Sequence, residues 1–600
     1  MQEQIVRKTD GVPLFVEELT KTVLQSGLLE DTPAGYRLTG PLPNLAIPST
    51  LQDSLMARLD GLAEAKEVAQ AAAAIGREFS RSLLVATLQT IPETRLDQSL
   101  GVLVGANLLI RRGEGPSAAF SFKHALVRDT AYNSMLKTQR ALRHGQIAAA
   151  LEQNEPDVIT SQPELLAHHH EEAGAAQRAI ELWTEAGRLA VTRGANREAA
   201  AAFERALSVL EALPHSSQTQ TEALDIRIAL GPVLFGLHGN SPEVEASYQQ
   251  ALALAEPLGD RRRLYQVHWG MNYTRFMAGR YAEALEPAQR LFELASRDDD
   301  GGEQLEAHHA MWGILCWAGR PLEALKHLEQ GRAHYEPGRH AYLRYRYAGH
   351  DPGACVSASG AMNHWLLGFP ERAERELRSL RAAIDDLQHP MTNVLLGMAG
   401  WVNYRLGNFD VAARLGIELV ESARKHGFQA MVEPVLVLTE LARQGPPTLT
   451  RLNELNEQLT RAKSSKGMRL MMSSILAEFC VAGGEVSLAE QVLQPWLNVR
   501  DTALRADFLR LQGALQLQRA APDASSAEHC FQDAIEVARE QGAKSFELRA
   551  ATSLATLWHQ QGKREEARDL LGALYGWFTE GFETPDLQRA KSLLDEWAIA

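Results

Sequence analysis

The stretch FMAGRYAEAL at residues 276–285 returns forty residues later as CWAGRPLEAL at 316–325, and its outline recurs as HQQGKREEAR at 559–568. Each holds a Gly, then an Ala five positions on, and a third key position follows four further on. The spacing is met at Gly194/Ala199/Phe203, Gly279/Ala284/Ala288, Gly319/Ala324/Leu328, Gly368/Ala373/Leu377, Gly407/Ala412/Gly416, Gly484/Ala489/Leu493 and Gly562/Ala567/Leu571. The third position twice falls to a small residue; the first two do not vary. Gly ends a helix in the left-handed cap at no steric cost, and Ala lets two helices cross closely. A fixed period of such hairpins predicts a stacked α-solenoid, an architecture that binds rather than transforms.

Trp183, Gly187, Gly194, Ala199, Phe203 and Ala206 fall on the tetratricopeptide spacing. The Gly anchors are 40 residues apart from 279 to 319 and 39 from 368 to 407. The 77 residues from 407 to 484 leave room for one degenerate unit near Gly445. Units of about 40 residues, against about 34 in the ordinary repeat, imply longer helices or loops. About ten hairpins are expected across 161–600, with the concave face as the default ligand site.

Residues 41–160 read differently. IPSTLQDSLMARLDGL opens a helix capped by Ser49 or Thr50, with Leu51, Leu55, Leu59 and Leu62 as its apolar stripe. Further helices follow, then LLIRRGEGPSAAFSF reads as two short strands around a turn. Helices followed by a hairpin make a winged-helix-like order. The recognition-helix candidate, 93–105, carries Glu93, Arg95 and Asp97, and only Arg111 and Arg112 on the wing are basic. The net charge of −14 divides into −2 over residues 1–160 and −12 over the rest. Both facts disfavour nucleic acid as a partner.

Cys316, Cys355, Cys480 and Cys530 share no CxxC spacing, so no metal framework is expected and a reducing cytoplasm suits the chain. No apolar run reaches the roughly 18 residues of a membrane span, and MQEQIVRKTDG lacks a signal-peptide core. His168-His169-His170 point about 100° apart on a helix and read as a solvated helix start, not a metal site. The stretch HYEPGRHAYLRYRYAGHDPGACV, 334–356, has two readings. One is an inter-repeat loop with Asp351 capping a helix that begins at Pro352. The other is a ligand-facing insertion exposing Tyr342, Arg344, Tyr345 and Tyr347.

Several segments carry a resemblance: TDGVPLFVEELTK (9–21), IPSTLQDSLMARLDGL (47–62), AIGREFS (74–80), FSFKHALVRDTAYNSML (120–136), GHDPGAC (349–355), HWLLGFPERA (364–373) and the stretch 541–587. Together they resemble the C-terminal part of bacterial class III adenylate/guanylate cyclase–ATPase proteins, which are signal-transduction ATPases with a winged helix and tetratricopeptide repeats. The resemblance implies that residues 1–40 are a helical remnant of the nucleotide domain. It also implies that Gly11 and Pro13 touch adenine, and that His124 senses nucleotide or packs under the wing. Arg140 and His144 match a family pattern read as packing. ATP and magnesium are the family's cofactors. This chain has no G-x-x-x-x-G-K-[ST] and no cyclase domain, so it is expected to hold no cofactor and to catalyse nothing by itself. The expectation is a truncated frame or a fragment: a regulatory sensor region binding a small molecule or partner protein, with self-association open. The alternatives are a cyclase or ATPase completed by upstream domains, a free-standing protein-binding scaffold, and a DNA-binding regulator.

Overall fold

The chain adopts the expected helical-repeat fold, and the reason is legible at the seven repeat glycines. All have positive φ, from 72° at Gly194 and Gly279 to 86° at Gly368 and Gly562. The residue after each glycine donates its N–H to the carbonyl five residues back, at 2.8–3.0 Å, as in Arg280 to Arg275 and Lys563 to Trp558. This Schellman closure satisfies carbonyls that a helix end leaves open. The seven partner alanines are fully buried where the two helices cross. The structure is a computed structural model. It describes residues 29–32, 35–38, 51–239, 241–295, 301–347, 350–387, 392–426, 429–443, 447–462 and 465–599. Gly11, Pro13, Ser49 and Thr50 lie outside the described residues.

The chain divides into two compact units, Met1–Thr219 and Gln220–Ala600. In the first, strands β1 (Leu29–Thr32) and β2 (Gly35–Leu38) pair antiparallel, so the described part of residues 1–40 is extended rather than helical. Next come helix Leu51–Asp60, helix Glu64–Ile75, strand β3 (Glu78–Ser80), helices Arg81–Thr87 and Glu93–Gly105, then β4 (Leu109–Arg112) and β5 (Ala119–Phe122). The sheet order is β3-β5-β4, all antiparallel, with Phe79 opposite Phe120 and Leu109 opposite Phe122. The β4–β5 hairpin is the expected one. Strand β3 is an addition: three residues between two helices are too few to show a period of two. Leu55, Leu59, Leu84, Leu96, Leu103 and Phe122 fill the core between helices and sheet. Arg81 grips Asp97 and Glu93 from the neighbouring helix at 2.7–2.9 Å.

The boundary falls later than residue 160. Ile147, Leu151, Leu166, Ala167 and Leu182 share one apolar cluster, which joins helix Lys137–Asn154 to helices Pro163–Glu172 and Ala176–Thr192. The first hairpin of the repeat pattern therefore belongs to the first unit. His169 is 1% exposed, so the expected solvated start at 168–170 is corrected. The helix turns His169 toward His144, whose Nδ1 lies 2.8 Å from the His169 Nδ1, while the His144 Nε2 meets the Tyr132 hydroxyl at 2.9 Å.

Ten hairpins run from Ala176 to Tyr575, closed by helix Pro585–Ile599. The degenerate unit is the pair Gln429–Leu441 and Leu449–Arg461. In the second unit the first helix of several hairpins, such as Gly302–Trp317, Pro352–Leu366 and Lys466–Ala482, is buried nearly all round. Its partner, such as Pro370–Leu387 or Leu449–Arg461, buries one stripe. The superhelix closes on itself. Gly279 lies against Lys466, Gly319 against Gln541, Gly368 against Lys544, and Gly407 against Pro585, each meeting the element five hairpins further on.

The interior is filled as well. Trp365 meets Trp401 and Phe546 edge-on at 5.3 and 5.2 Å. Behind them lies an ionic knot. Arg405 reaches Glu478 at 2.5 Å and Asp507 at 3.2 Å; Arg510 reaches Asp507 at 2.8 Å; Arg549 binds Glu478 and stands 3.7 Å from Asp586. Burial alone would raise the Asp507 carboxyl, but Arg510, Arg549 and Arg405 outweigh it and hold the group well below the usual carboxylate range. The expected open concave face is therefore absent among the described residues of these repeats, because their own inner side chains occupy it.

Candidate functional site

The connector between the hairpin helices Pro321–His334 and Pro352–Leu366 makes two single turns, Pro337–His340 and Leu343–Arg346. Asp351 then caps the next helix, accepting the Ala354 N–H at 3.1 Å and the Tyr335 hydroxyl at 2.8 Å, with Pro352 in the first turn. The loop-and-cap expectation holds. Of the four side chains in the ligand-facing reading, Tyr342 alone is exposed among those described. Arg344 is half-buried and donates to the Ala341 carbonyl at 2.7 Å. The Tyr345 side chain is outside the described residues. Tyr347 turns inward onto Trp269 and Tyr265, ring centroids 5.3 and 5.9 Å away, because an aromatic ring gains more by burial than a loop loses by folding back. Trp269 in turn stacks on Tyr273 at 5.1 Å. The Trp269 and Trp312 indole N–H groups and the Tyr347 hydroxyl are buried with no hydrogen-bond partner among the described residues.

Beside this aromatic cluster the fold gathers Glu306, His309, His350 and Cys355. Glu306 and His309 sit one helical turn apart on helix Gly302–Trp317. His350 ends the connector, and Cys355 lies in the first turn of helix Pro352–Leu366. His309, His350 and Cys355 each offer one ligand atom, and these atoms lie within 4.8 Å of one another. The His309 Nδ1 is 3.0 Å from a Glu306 carboxylate oxygen; its ring stacks on Trp312 at 4.8 Å and meets His350 edge-on at 5.1 Å. The Cys355 Sγ is 3.8 Å from the Ser359 hydroxyl. Burial pushes the Cys355 thiol up, but the His309 and His350 imidazoles outweigh it and hold the thiol well below its ordinary value. Burial pushes His309 down, yet Cys355 and Glu306 carry it up to about 10. Such a set can hold a borderline metal ion or rest as a thiolate–imidazolium pair.

Sequence reading passed over this group. Its members come from two helices and a connector, 41 and 5 residues apart, which matches no linear motif. The only signal was the crowding of aromatic and His residues at 334–356. His124 stands at the N-cap position of helix Ala125–Asn133 without a side-chain cap bond, its Nε2 buried and without a partner among the described residues. His144 is buried, in keeping with the packing expectation. No described helix is long and apolar enough to cross a membrane.

No family model matches the chain. It is 25% identical over 573 residues to an uncharacterised protein of Rhizobium meliloti (strain 1021), covering 92% of this chain and 54% of that one. It thus spans about half the length of the curated relative it matches. Among solved structures it is similar to a Rap protein complexed with competence and sporulation factor, at 12% identity and TM-score 0.37, over 71% of this chain and 99% of that one. It is also similar to a Signal Transduction ATPase with Numerous Domains that has a tetratricopeptide repeat sensor, from Pyrococcus horikoshii: 13% identity, TM-score 0.30, 82% and 69% covered. Yeast Tom70 aligns at 10% identity and TM-score 0.29, over 77% and 96%. These superpositions are loose, and the fold rests on the chain's own hairpins.

Proposed function

We propose that this chain is a non-catalytic sensor region of a signalling ATPase or cyclase, in which a ligand or partner protein bound on the solenoid opens a self-closed superhelix. The observation that carries the reading is the ionic knot of Arg405, Arg510, Arg549, Glu478, Asp507 and Asp586 between repeats far apart in sequence. Apolar side chains of the same size would hold a permanent interior at least as well, because burying charges carries a desolvation cost. Paired charges that can return to water suit an interface meant to open. A ligand shifts such an equilibrium only by binding the open and closed arrangements unequally.

The helix–strand–helix–helix–hairpin order of residues 64–122 supports a winged-helix reading, as a module that leans on a nucleotide domain. Its helix Glu93–Gly105 has two of its acidic groups tied to Arg81, which speaks for packing rather than for DNA. The absence of a phosphate-binding loop from the sequence supports a regulatory rather than catalytic part. The test is a reconstitution. Purified chain is added to a separately expressed P-loop ATPase or cyclase chain encoded beside it, and nucleotide turnover is followed. Added chain should lower turnover, and Asp507→Ala should relieve that inhibition. Turnover of ATP by this chain alone, or inhibition that D507A leaves intact, sinks the reading.

A further inference from the structure

The geometry points to a metal centre inside the solenoid: a zinc-class divalent ion held by His309, His350 and Cys355, with Glu306 orienting His309. Ligands around a tetrahedral zinc stand roughly 3.4–3.6 Å apart, given bond lengths of about 2.0–2.1 Å to nitrogen and about 2.3 Å to sulfur. The three candidate atoms lie within 4.8 Å of one another, so they converge on an ion by closing about an ångström. His350 ends a connector rather than lying within a helix, so its side chain is placed to contribute to that closing.

Three further features belong to metal sites rather than to packing. The donors are the right kind, since imidazole and thiolate together favour zinc over the hard cations that take oxygen. Glu306 accepts from the His309 Nδ1 at 3.0 Å, which fixes the tautomer and leaves Nε2 to ligate, the carboxylate–histidine arrangement that supports bound metals. Trp312 beneath the His309 ring and Ser359 beside the sulfur fix the other two directions. Three protein ligands leave a fourth position for water or an exogenous group. The ion would tie helix Gly302–Trp317 to the start of helix Pro352–Leu366. It would thereby lock the connector that carries Tyr347 against Trp269. Occupancy of the site would then set how firmly this part of the interior is closed.

Cobalt is the probe. Full chain stripped with a chelator is titrated with Co(II), and then with Zn(II) in competition. The expected result is one equivalent bound, with thiolate-to-cobalt charge-transfer absorption that zinc abolishes. Cys355→Ser and His350→Ala should each remove that absorption, whereas Cys530→Ser, outside the cluster, should leave it. Cys355→Ser keeps the side-chain volume and His350 is only half-buried, so both variants should fold, which circular dichroism checks. Glu306→Gln should keep the spectrum and weaken the affinity by roughly 10–100-fold. Cobalt bound without a sulfur band, a band that survives C355S, or no binding at micromolar cobalt overturns the proposal. So does a Cys355 thiol that alkylates equally fast with and without zinc.

Discussion

In the first unit, the half-buried Tyr132 and the buried His144 and His169 form a chain of hydrogen bonds that carries no charge; in the second, Arg405, Arg510 and Arg549 converge on the buried Asp507. Burial acts on both sets alike. What differs is the company. Burial and the neighbouring His168 take His144 down to about 4, and burial with His144 and His168 takes His169 down to about 3, so both rings are neutral at pH 7. Around Asp507 three guanidinium groups outweigh the same penalty and keep the carboxylate ionised. The first cluster excludes charge and the second organises it.

The contrast breaks most visibly at Asp507. Asp507→Ala leaves Arg405 and Arg510 buried without their shared partner and should cost about 3–5 kcal/mol in chemical denaturation. Replacing Asp507 and Arg510 together by apolar residues should recover part of that loss, and a double-mutant cycle reads the difference.

Acid separates the two units next. The unfolded chain binds protons at the ordinary His value of 6.5, whereas folded His144 and His169 resist until about 4 and about 3. The stability they contribute is present above pH 6.5 and is lost as the pH falls through that window. The loss is about 2 kcal/mol per imidazole between pH 7 and about pH 5. Hydrogen-exchange protection, taken relative to the slower intrinsic amide rate in acid, should therefore fall around residues 137–172 on mild acidification. Around residues 505–518 the Asp507 contribution should persist to much lower pH, because its folded value is depressed. Equal acid sensitivity in the two regions would remove the distinction.

Gly368 and Gly194 sharpen the comparison at the backbone. Both have positive φ, but a Cβ on Gly368 would meet Lys544 and Trp577, while one on Gly194 meets nothing within 4 Å. Gly194→Ala should cost about 1–2 kcal/mol, the left-handed penalty alone. Gly368→Ala should cost more by about 1–3 kcal/mol, because it also overpacks the seam between turns of the superhelix. Equal losses in thermal denaturation would mean that the seam is looser than the structure has it.

The hairpins themselves were open to reading because their determinants are local. A Gly that must be left-handed and an Ala that must be small leave a mark within nine residues, and the pattern marked seven of the ten hairpins. Strand β3 left no such mark, being three residues long. Nor did the burial of His169, which depends on where helix Lys137–Asn154 lies.

The sequence by itself determined the repeats, their helix ends and the β4–β5 hairpin, since each follows from residues within a few positions of one another. Only the tertiary structure decided that the superhelix fills its own interior, that Tyr347 turns inward, and that His309, His350 and Cys355 converge. Those outcomes depend on how small rotations between successive hairpins accumulate. Five hairpins must stack before one turn meets the next, and no local pattern records that sum.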